Sequence, residues 1–382
     1  MADNKENKVL NVPALRFPEF TDEWHKQSLG EIGETIIGLT YKPSDVVESN
    51  GTIVLRSSNI KNGVIDYSDL VRVNKPIKER IITKENDILI CARNGSQRLI
   101  GKNAIIKKED ANNTFGAFMM VYRSKDNPFI LPLLSTKRYF SQVGENLGAR
   151  INQITTSDFN GFDFYFPNSH AERAKIAELF RLIDERIATQ NKIIEKYESL
   201  IKGIRNYVLN NKLQNTTKKK LGELCTITTG KLDANAMKSE GLYPFFTCAE
   251  EVYRIDSFAF DTEALLVSGN GANLGYIHYY KGKFNAYQRT YVLSNFIEDI
   301  HYIQIYLEAY LHKRIALEKS TSNTPYIVLA TLAEMPIIIP NIKIQKDISN
   351  KILILKSKLI TEIHIRNCYK DMRQFLLSQM FI

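Results

Sequence analysis

Arg93-Asn94-Gly95-Ser96-Gln97-Arg98, followed by Lys102, gathers guanidinium, amide and hydroxyl groups on a short segment after an apolar run. Those groups suit the edges of DNA bases: Arg presents a two-pronged donor to guanine, and Asn or Gln pairs a donor and an acceptor with adenine. Arg56-Ser57-Ser58-Asn59 offers Arg56 and Asn59 for the same chemistry. In the second half of the chain, Ser268-Gly269-Asn270-Gly271-Ala272-Asn273 also follows an apolar run, with Asn270 and Asn273 as its amides. It holds no arginine, so cations there must come from Lys231, from Lys281 and Lys283, or from the Tyr287-Gln288-Arg289 cluster. The expected interface is therefore Arg56, Asn59, Arg93, Asn94, Ser96, Gln97, Arg98 and Lys102 in one half, and Lys231, Asn270, Asn273, Lys283, Gln288 and Arg289 in the other.

Other motifs that look chemical fail on context. Gly269-Asn270-Gly271-Ala272-Asn273-Leu274-Gly275 follows a strand pattern, but a nucleotide-binding glycine loop must then open a helix whose N-terminus holds phosphate. Tyr276-Ile277-His278-Tyr279-Tyr280 reads as another strand, so the glycines are expected to form a tight turn. Gly95 to Gly101-Lys102 has one residue too many for a phosphate loop, and Asn103 stands where Ser or Thr would hold magnesium. Asn323-Thr324-Pro325-Tyr326 is like the Asn-Pro-Pro-Tyr loop of amino-methyltransferases but lacks its first proline. The six histidines are dispersed and form no metal pair. The four cysteines lie far apart without a Cys-x-x-Cys, which points away from zinc or a disulfide scaffold and towards a reducing cytoplasm. No catalytic and no metal-binding residue is expected.

The elements that must position the loops come in duplicate. Lys26-Gln27-Ser28-Leu29-Gly30-Glu31-Ile32 is echoed by Lys218-Lys219-Lys220-Leu221-Gly222-Glu223-Leu224 at an offset of 192, which also relates Gly38 to Gly230. Phe164-Tyr165-Phe166-Pro167-Asn168 is echoed by Ile337-Ile338-Ile339-Pro340-Asn341 at an offset of 173. Each second echo leads into a long helical pattern. Ile176, Phe180, Ile183, Ile187, Gln190, Ile194, Tyr197, Ile201, Ile204 and Val208 keep an unbroken 4-3 spacing, a coiled-coil seam with one polar position. A helix over 170–212 would run about 65 Å. After Pro340 the seam reads Ile348, Ile352, Leu355 and Leu359, then steps to Ile363 and loses register, with Met372, Leu376 and Met380 continuing an apolar face. Helices this long and amphipathic need a partner, and pairing the two antiparallel within the chain supplies it.

Between the helices the chain alternates short strands and turns, exemplified by 51–55, 87–90, 117–122, 264–267 and 276–280, with a hairpin at Lys61-Asn62-Gly63 and short helices at 129–142 and 301–318. The expected fold class is α+β: two similar mixed α/β domains on twisted, largely antiparallel sheets, joined by two long antiparallel helices. The expected boundaries are an N-terminal arm over 1–19, a first domain over 20–167, a central helix over 168–214, a second domain over 215–340 and a C-terminal helix over 341–382. With 382 residues, the chain is too long for one ordinary domain. No apolar run reaches the roughly 18 residues that a membrane span needs. Lys and Arg exceed Asp and Glu by 51 to 42, a net charge of +9 that weakly favours a polyanionic partner.

Leu15-Arg16-Phe17-Pro18-Glu19-Phe20, Trp24, Leu29-Gly30-Glu31, and Phe166-Pro167-Asn168 running into Glu172-Arg173-Ala174-Lys175-Ile176-Ala177 resemble the specificity (S) subunits of type I restriction-modification systems. The duplicated layout extends the resemblance over essentially the whole chain. The resemblance implies that each domain recognises one half of a split target in double-stranded DNA, and that the helices fix the gap between the halves. It implies two methyltransferase subunits docked on the chain, with nuclease-translocase subunits joining for restriction. S-adenosylmethionine, ATP and magnesium would then belong to those partners, and the methylated base is usually an adenine flipped out of the duplex. On this view the chain is a non-catalytic cytoplasmic subunit. The competing expectations are a coiled-coil adaptor that binds only proteins and a fused nuclease-methyltransferase, for which no catalytic motif is present.

Overall fold

A computed structural model describes residues 11–149, 152–210, 215–317 and 326–382. Its contacts divide it into two compact units, residues 1–191 with 365–382 and residues 192–364. Both long helices are thus apportioned between the units, cutting across the expected helical segments.

The Leu-Gly-Glu echo has a physical basis. In the first unit the strand His25–Ser28 leads directly into the short helix Leu29–Ile32, and in the second Thr217–Lys220 leads into Leu221–Leu224. The backbone N–H of Ser28 donates to Glu31 Oε2 at 2.7 Å, and that of Lys220 to Glu223 Oε2 at 2.7 Å, so each glutamate satisfies a donor that the helix start leaves unpaired. Leu29 and Leu221 are both fully buried. The closing echoes complete the same frame: His25–Ser28 pairs antiparallel with Asp163–Phe166, His25 opposite Phe166, and Thr217–Lys220 pairs with Pro336–Ile339, Thr217 opposite Ile339.

Each unit builds a sheet around one central strand. In the first unit Met119–Arg123 lies between Glu34–Ile37 and Ile88–Cys91, and Asn103–Ile105 adds to the latter. In the second, Thr290–Ser294 lies between Thr226–Thr229 and Phe260–Ser268, and Ile277–Ala286 adds to that. Among the described residues the named strands pair antiparallel except at Val54-Leu55 with Thr114-Phe115 and at Phe245-Phe246 with Asn285-Ala286, where each unit has a parallel strand pair. The offset between matching residues falls from 192 at Gly38 and Gly230 to 177 at Arg93 and Asn270. Most of the extra length of the first domain therefore lies between those positions, in the strands Val46–Val47 and Arg72–Val73 and the hairpin Ile60–Lys61 with Val64–Ile65. Asn62 and Gly63 turn that hairpin with positive φ at both residues, as their types allow.

The central helix runs His170–Asn210 and the C-terminal helix Ile342–Met380. On the central helix the residues Ile176, Phe180, Ile183, Ile187, Gln190, Ile194, Tyr197, Ile201 and Ile204 are all buried or half-buried, while the side chain of Val208 lies outside the described residues. In the first unit Phe180 packs on Phe381 at 5.7 Å between ring centroids, and Asp184, one turn further on, pairs with Arg373 at 2.6 Å. Advancing along one helix retreats along the other, so the two run antiparallel there. In the second unit Ile201 and Ile204 share a core with Ile348, Ile352, Leu355 and Leu359.

Two expectations need correction. The C-terminal helix does not lose register after Leu359: Glu362, Arg366, Tyr369, Arg373, Leu376 and Met380 continue the 4-3 spacing, and each is buried or half-buried. From Glu362 to Arg373 the inward positions carry polar groups, which a search for apolar residues passes over, and Met372 points outward instead. The helix expected over 129–142 is two helices, Asn127–Leu133 and Lys137–Ala149. Between them Thr136 Oγ1 accepts the backbone N–H of Tyr139 at 3.3 Å and starts the second helix.

Candidate nucleic-acid interface

The segment after Ile88–Cys91 is held at its base by backbone hydrogen bonds. The N–H groups of Ala92 and Arg93 both donate to the carbonyl of Phe118 at 3.0 Å, and Ile154 N–H donates to the carbonyl of Ala92 at 2.8 Å. Arg93 bridges Gln153, and Asn152 Nδ2 reaches the carbonyl of Gly95. Asn94 shapes the loop from within: its Oδ1 accepts Ser96 N–H at 3.0 Å, and its Nδ2 donates to Ser57 Oγ at 3.0 Å. That last bond ties the loop at 56–59 to the loop at 92–98. Arg93, Gln97 and Arg98 project into solvent, whereas Ser96 and Lys102 are half-buried.

Burial pushes the thiol of Cys91, at the foot of this loop, up to about 11. It is a packing residue there, not a nucleophile.

The second unit repeats the arrangement. Gly269 N–H donates to the carbonyl of Arg289 at 2.9 Å, Ile327 N–H donates to the carbonyl of Gly269 at 2.8 Å, and Asn270 bridges Tyr326. Asn273 Nδ2 donates to the carbonyl of Cys248 at 3.3 Å, and Gln288 N–H to the carbonyl of Leu232 at 2.9 Å. These bonds bring Lys231, Asn270, Asn273, Gln288 and Arg289 to neighbouring loops, with Lys231, Gln288 and Arg289 exposed. The glycines of 269–275 form a turn, Gly271 with φ +82°, and lead into the strand Ile277–Ala286 rather than a helix.

A parallel bridge closes each site from below, Leu39 with Gly116 and Leu232 with Tyr287. It explains the echoed glycines. A Cβ on Gly38 would stand 2.3 Å from the carbonyl oxygen of Gly116, and one on Gly230 1.9 Å from that of Ala286. No other residue fits at either position.

The structure turns one expected residue inward and leaves another exposed on a strand. Asn59 is fully buried: its Oδ1 accepts Arg56 N–H at 2.9 Å and its Nδ2 donates to the carbonyls of Asp66 and Asp69, so it caps its own loop. Lys283 sits within a strand opposite Asp261, its ammonium 4.7 Å from the centre of the Phe258 ring. Arg56 stays partly exposed but is paired with Asp69 at 2.8 Å.

The structure also adds residues. Phe118 is 60% exposed, and the Arg93 guanidinium carbon lies 5.2 Å from its ring centre. The run Ala117-Phe118-Met119-Met120-Val121-Tyr122 reads as one strand, but the strand starts at Met119 and Phe118 sits on the turn before it. Ser57, Gln153, Cys248 and Tyr326 join through the bonds above; Ser57 and Tyr326 lie in segments that the sequence already singles out, and nothing local marks Gln153 or Cys248. Of Asn323-Thr324-Pro325-Tyr326, the first three lie outside the described residues. Among the described residues no group of three or more His, Cys, Asp or Glu could hold a metal ion, and no helix is long and apolar enough to cross a membrane.

A family model for the type I restriction modification DNA specificity domain matches residues 21–199 and 214–366. The specificity subunit of the type I restriction enzyme EcoDI of Escherichia coli is 43% identical over 132 residues, 35% of this chain and 29% of that protein. The specificity subunit of StySPI, from Salmonella potsdam, is 27% identical over 194 residues, 49% of this chain and 42% of that protein. The matches thus span less than half of the length of these relatives. Among solved structures, the S subunit of a type I restriction-modification system from M. genitalium superposes with a TM-score of 0.70 at 17% identity, over 97% of this chain and 99% of that one. A chain from a study of assembly and conformational transition in the type I restriction-modification system gives 0.51 at 16% identity, over 94% and 97%. At those identities the likeness is one of fold.

Proposed function

Because the chain belongs to the family of type I restriction-modification DNA specificity domains and carries that domain twice, we propose that it is the DNA-recognition subunit of such a system. Each domain reads one half of a bipartite target through its pair of loops. The long helices set the spacing and dock two methyltransferase subunits, to which nuclease-translocase subunits add. The chain itself is non-catalytic and works in the cytoplasm. S-adenosylmethionine, ATP and magnesium are held by the partners.

One observation carries this reading. Both domains hold a loop and a turn together by equivalent backbone bonds, and the side chains presented on that shared frame differ: exposed Arg93, Gln97 and Arg98 in one, half-buried Asn270 with exposed Gln288 and Arg289 in the other. A frame repeated with altered contact residues is what two readers of two different half-sites require. Arg98 and Lys231 would supply salt-sensitive attraction to phosphate, while Arg93 and Asn270 at base edges would supply selectivity.

The test uses the full chain co-expressed with its methyltransferase subunit, and selection from a randomised duplex pool. Arg93→Ala should relax one half-site, and Asn270→Ala the other, each with about 1–3 kcal/mol lost in discrimination and with assembly intact. An enriched sequence unchanged by both substitutions would overturn the assignment of the loops. A protein-only adaptor would enrich no sequence at all.

A further inference from the structure

The turn that carries Phe118 has a close counterpart in the second domain. In the first, Met119 N–H donates to the carbonyl of Gly116 at 2.8 Å; in the second, Thr290 N–H donates to the carbonyl of Tyr287 at 2.8 Å. The next residue out, Phe118 or Arg289, accepts the backbone bond from the neighbouring loop. The backbone therefore does the holding in both turns, and the side chains of Phe118 and Arg289 are left to solvent.

What those side chains do with that freedom differs. In the second domain the turn itself carries a cation, the exposed Arg289. In the first domain the cation has moved to the loop, as Arg93, and the turn offers an aromatic face to it at 5.2 Å. An arginine on an exposed loop samples many rotamers, and a guanidinium stacked on a ring is confined to one plane with its donor edge free. Two-pronged recognition of a base needs the fork in a fixed plane.

We propose that Phe118 is a positioning residue of the first recognition domain, holding the Arg93 guanidinium flat so that its fork meets one base pair. This rests on the assignment of the loops to DNA given above, and deepens it by naming the residue that sets the selectivity of Arg93.

The experiment uses the full chain with its methyltransferase subunit and the same randomised duplex pool. Phe118→Leu keeps apolar bulk and removes the π face. It should lower the preference at one base pair of the first half-site by about 10-fold, at the position that Arg93→Ala also affects, with the second half-site unchanged. Phe118→Tyr should restore the preference to within about 2-fold. Adding Phe118→Leu to Arg93→Ala should produce no further loss at that position. Losses that multiply in the double variant, a tyrosine variant that behaves like leucine, or a leucine variant that reads normally would each overturn the positioning role while leaving the loop assignment standing. If Arg93→Ala alone changes nothing in a folded complex, the assignment of the first domain's loop fails and the positioning role with it. Thermal melting of each variant separates these outcomes from misfolding, and the tyrosine variant keeps the test open if leucine destabilises the turn.

Discussion

The two specificity domains share a backbone scaffold to the level of single hydrogen bonds, yet their exposed loop residues have little in common. The bridge between Arg93 and Gln153 recurs between Asn270 and Tyr326, and that between Leu39 and Gly116 recurs between Leu232 and Tyr287. The anchors below differ too. In the first unit the carboxylate of Glu172, 1% exposed, accepts both prongs of Arg16 at 2.7 and 2.8 Å and the indole N–H of Trp24 at 3.2 Å. In the second, the matching position holds Gln345, whose amide donates to the carbonyl of Pro340 at 2.8 Å and to Glu298 at 2.7 Å and accepts from Asp299 N–H at 3.0 Å. Duplication thus preserved the positions where a side chain satisfies backbone or fills the core, and left free both the chemistry of the anchors and the residues facing solvent.

The most severe way to break both domains is through the helix that they share. Ile194 is buried in its seam, and Ile194→Pro removes a backbone bond and adds a clash costing about 3 kcal/mol or more. Circular dichroism should show a lower melting temperature, and size exclusion should show no assembled complex; a normal complex would count against the spacer role. Glu172→Ala comes next, since it strands Arg16 in a largely buried position and should cost about 3 kcal/mol in urea unfolding. Gln345→Ala, which removes only a neutral amide, should cost less, about 2 kcal/mol. Equal losses would mean that the charged and neutral anchors are equivalent. Asn59→Ala should also cost about 2 kcal/mol, because the carbonyls of Asp66 and Asp69 lose their donor. The sequence selected from a randomised pool should stay the same, and a changed half-site would return Asn59 to the interface. The smallest effect is expected for Lys231→Ala, which should leave stability within about 0.5 kcal/mol and flatten the salt dependence of DNA binding by a slope of about 1. A loss confined to one base position would instead make Lys231 a base reader.

Much of this organisation is legible in residue type and spacing alone. The Leu-Gly-Glu and Pro-Asn echoes mark the first and last strands of each domain because a buried leucine, a capping glutamate and a helix-starting segment are local requirements. The apolar stripe from Ile176 to Ile204 is equally plain, being periodic over many turns. The inward positions of the C-terminal helix beyond Leu359 are hidden, because Arg373 is placed there by Asp184, 189 residues away in sequence. The interface is legible as loops but not residue by residue. Asn59 and Asn94 have the same chemistry, and only the fold buries the first.

What the amino-acid sequence determined by itself was the duplicated α+β layout, the two long helices and the regions rich in base-reading groups, since each rests on spacing and residue type within a short stretch. What only the tertiary structure decided was which of those groups faces outward and beside what. The fold set Phe118 on a turn under Arg93, tied Asn94 to Ser57, and turned Asn59 inward. These are consequences of strands and loops distant in sequence meeting across a sheet. Exposure and partnership depend on that meeting, and no local pattern encodes it.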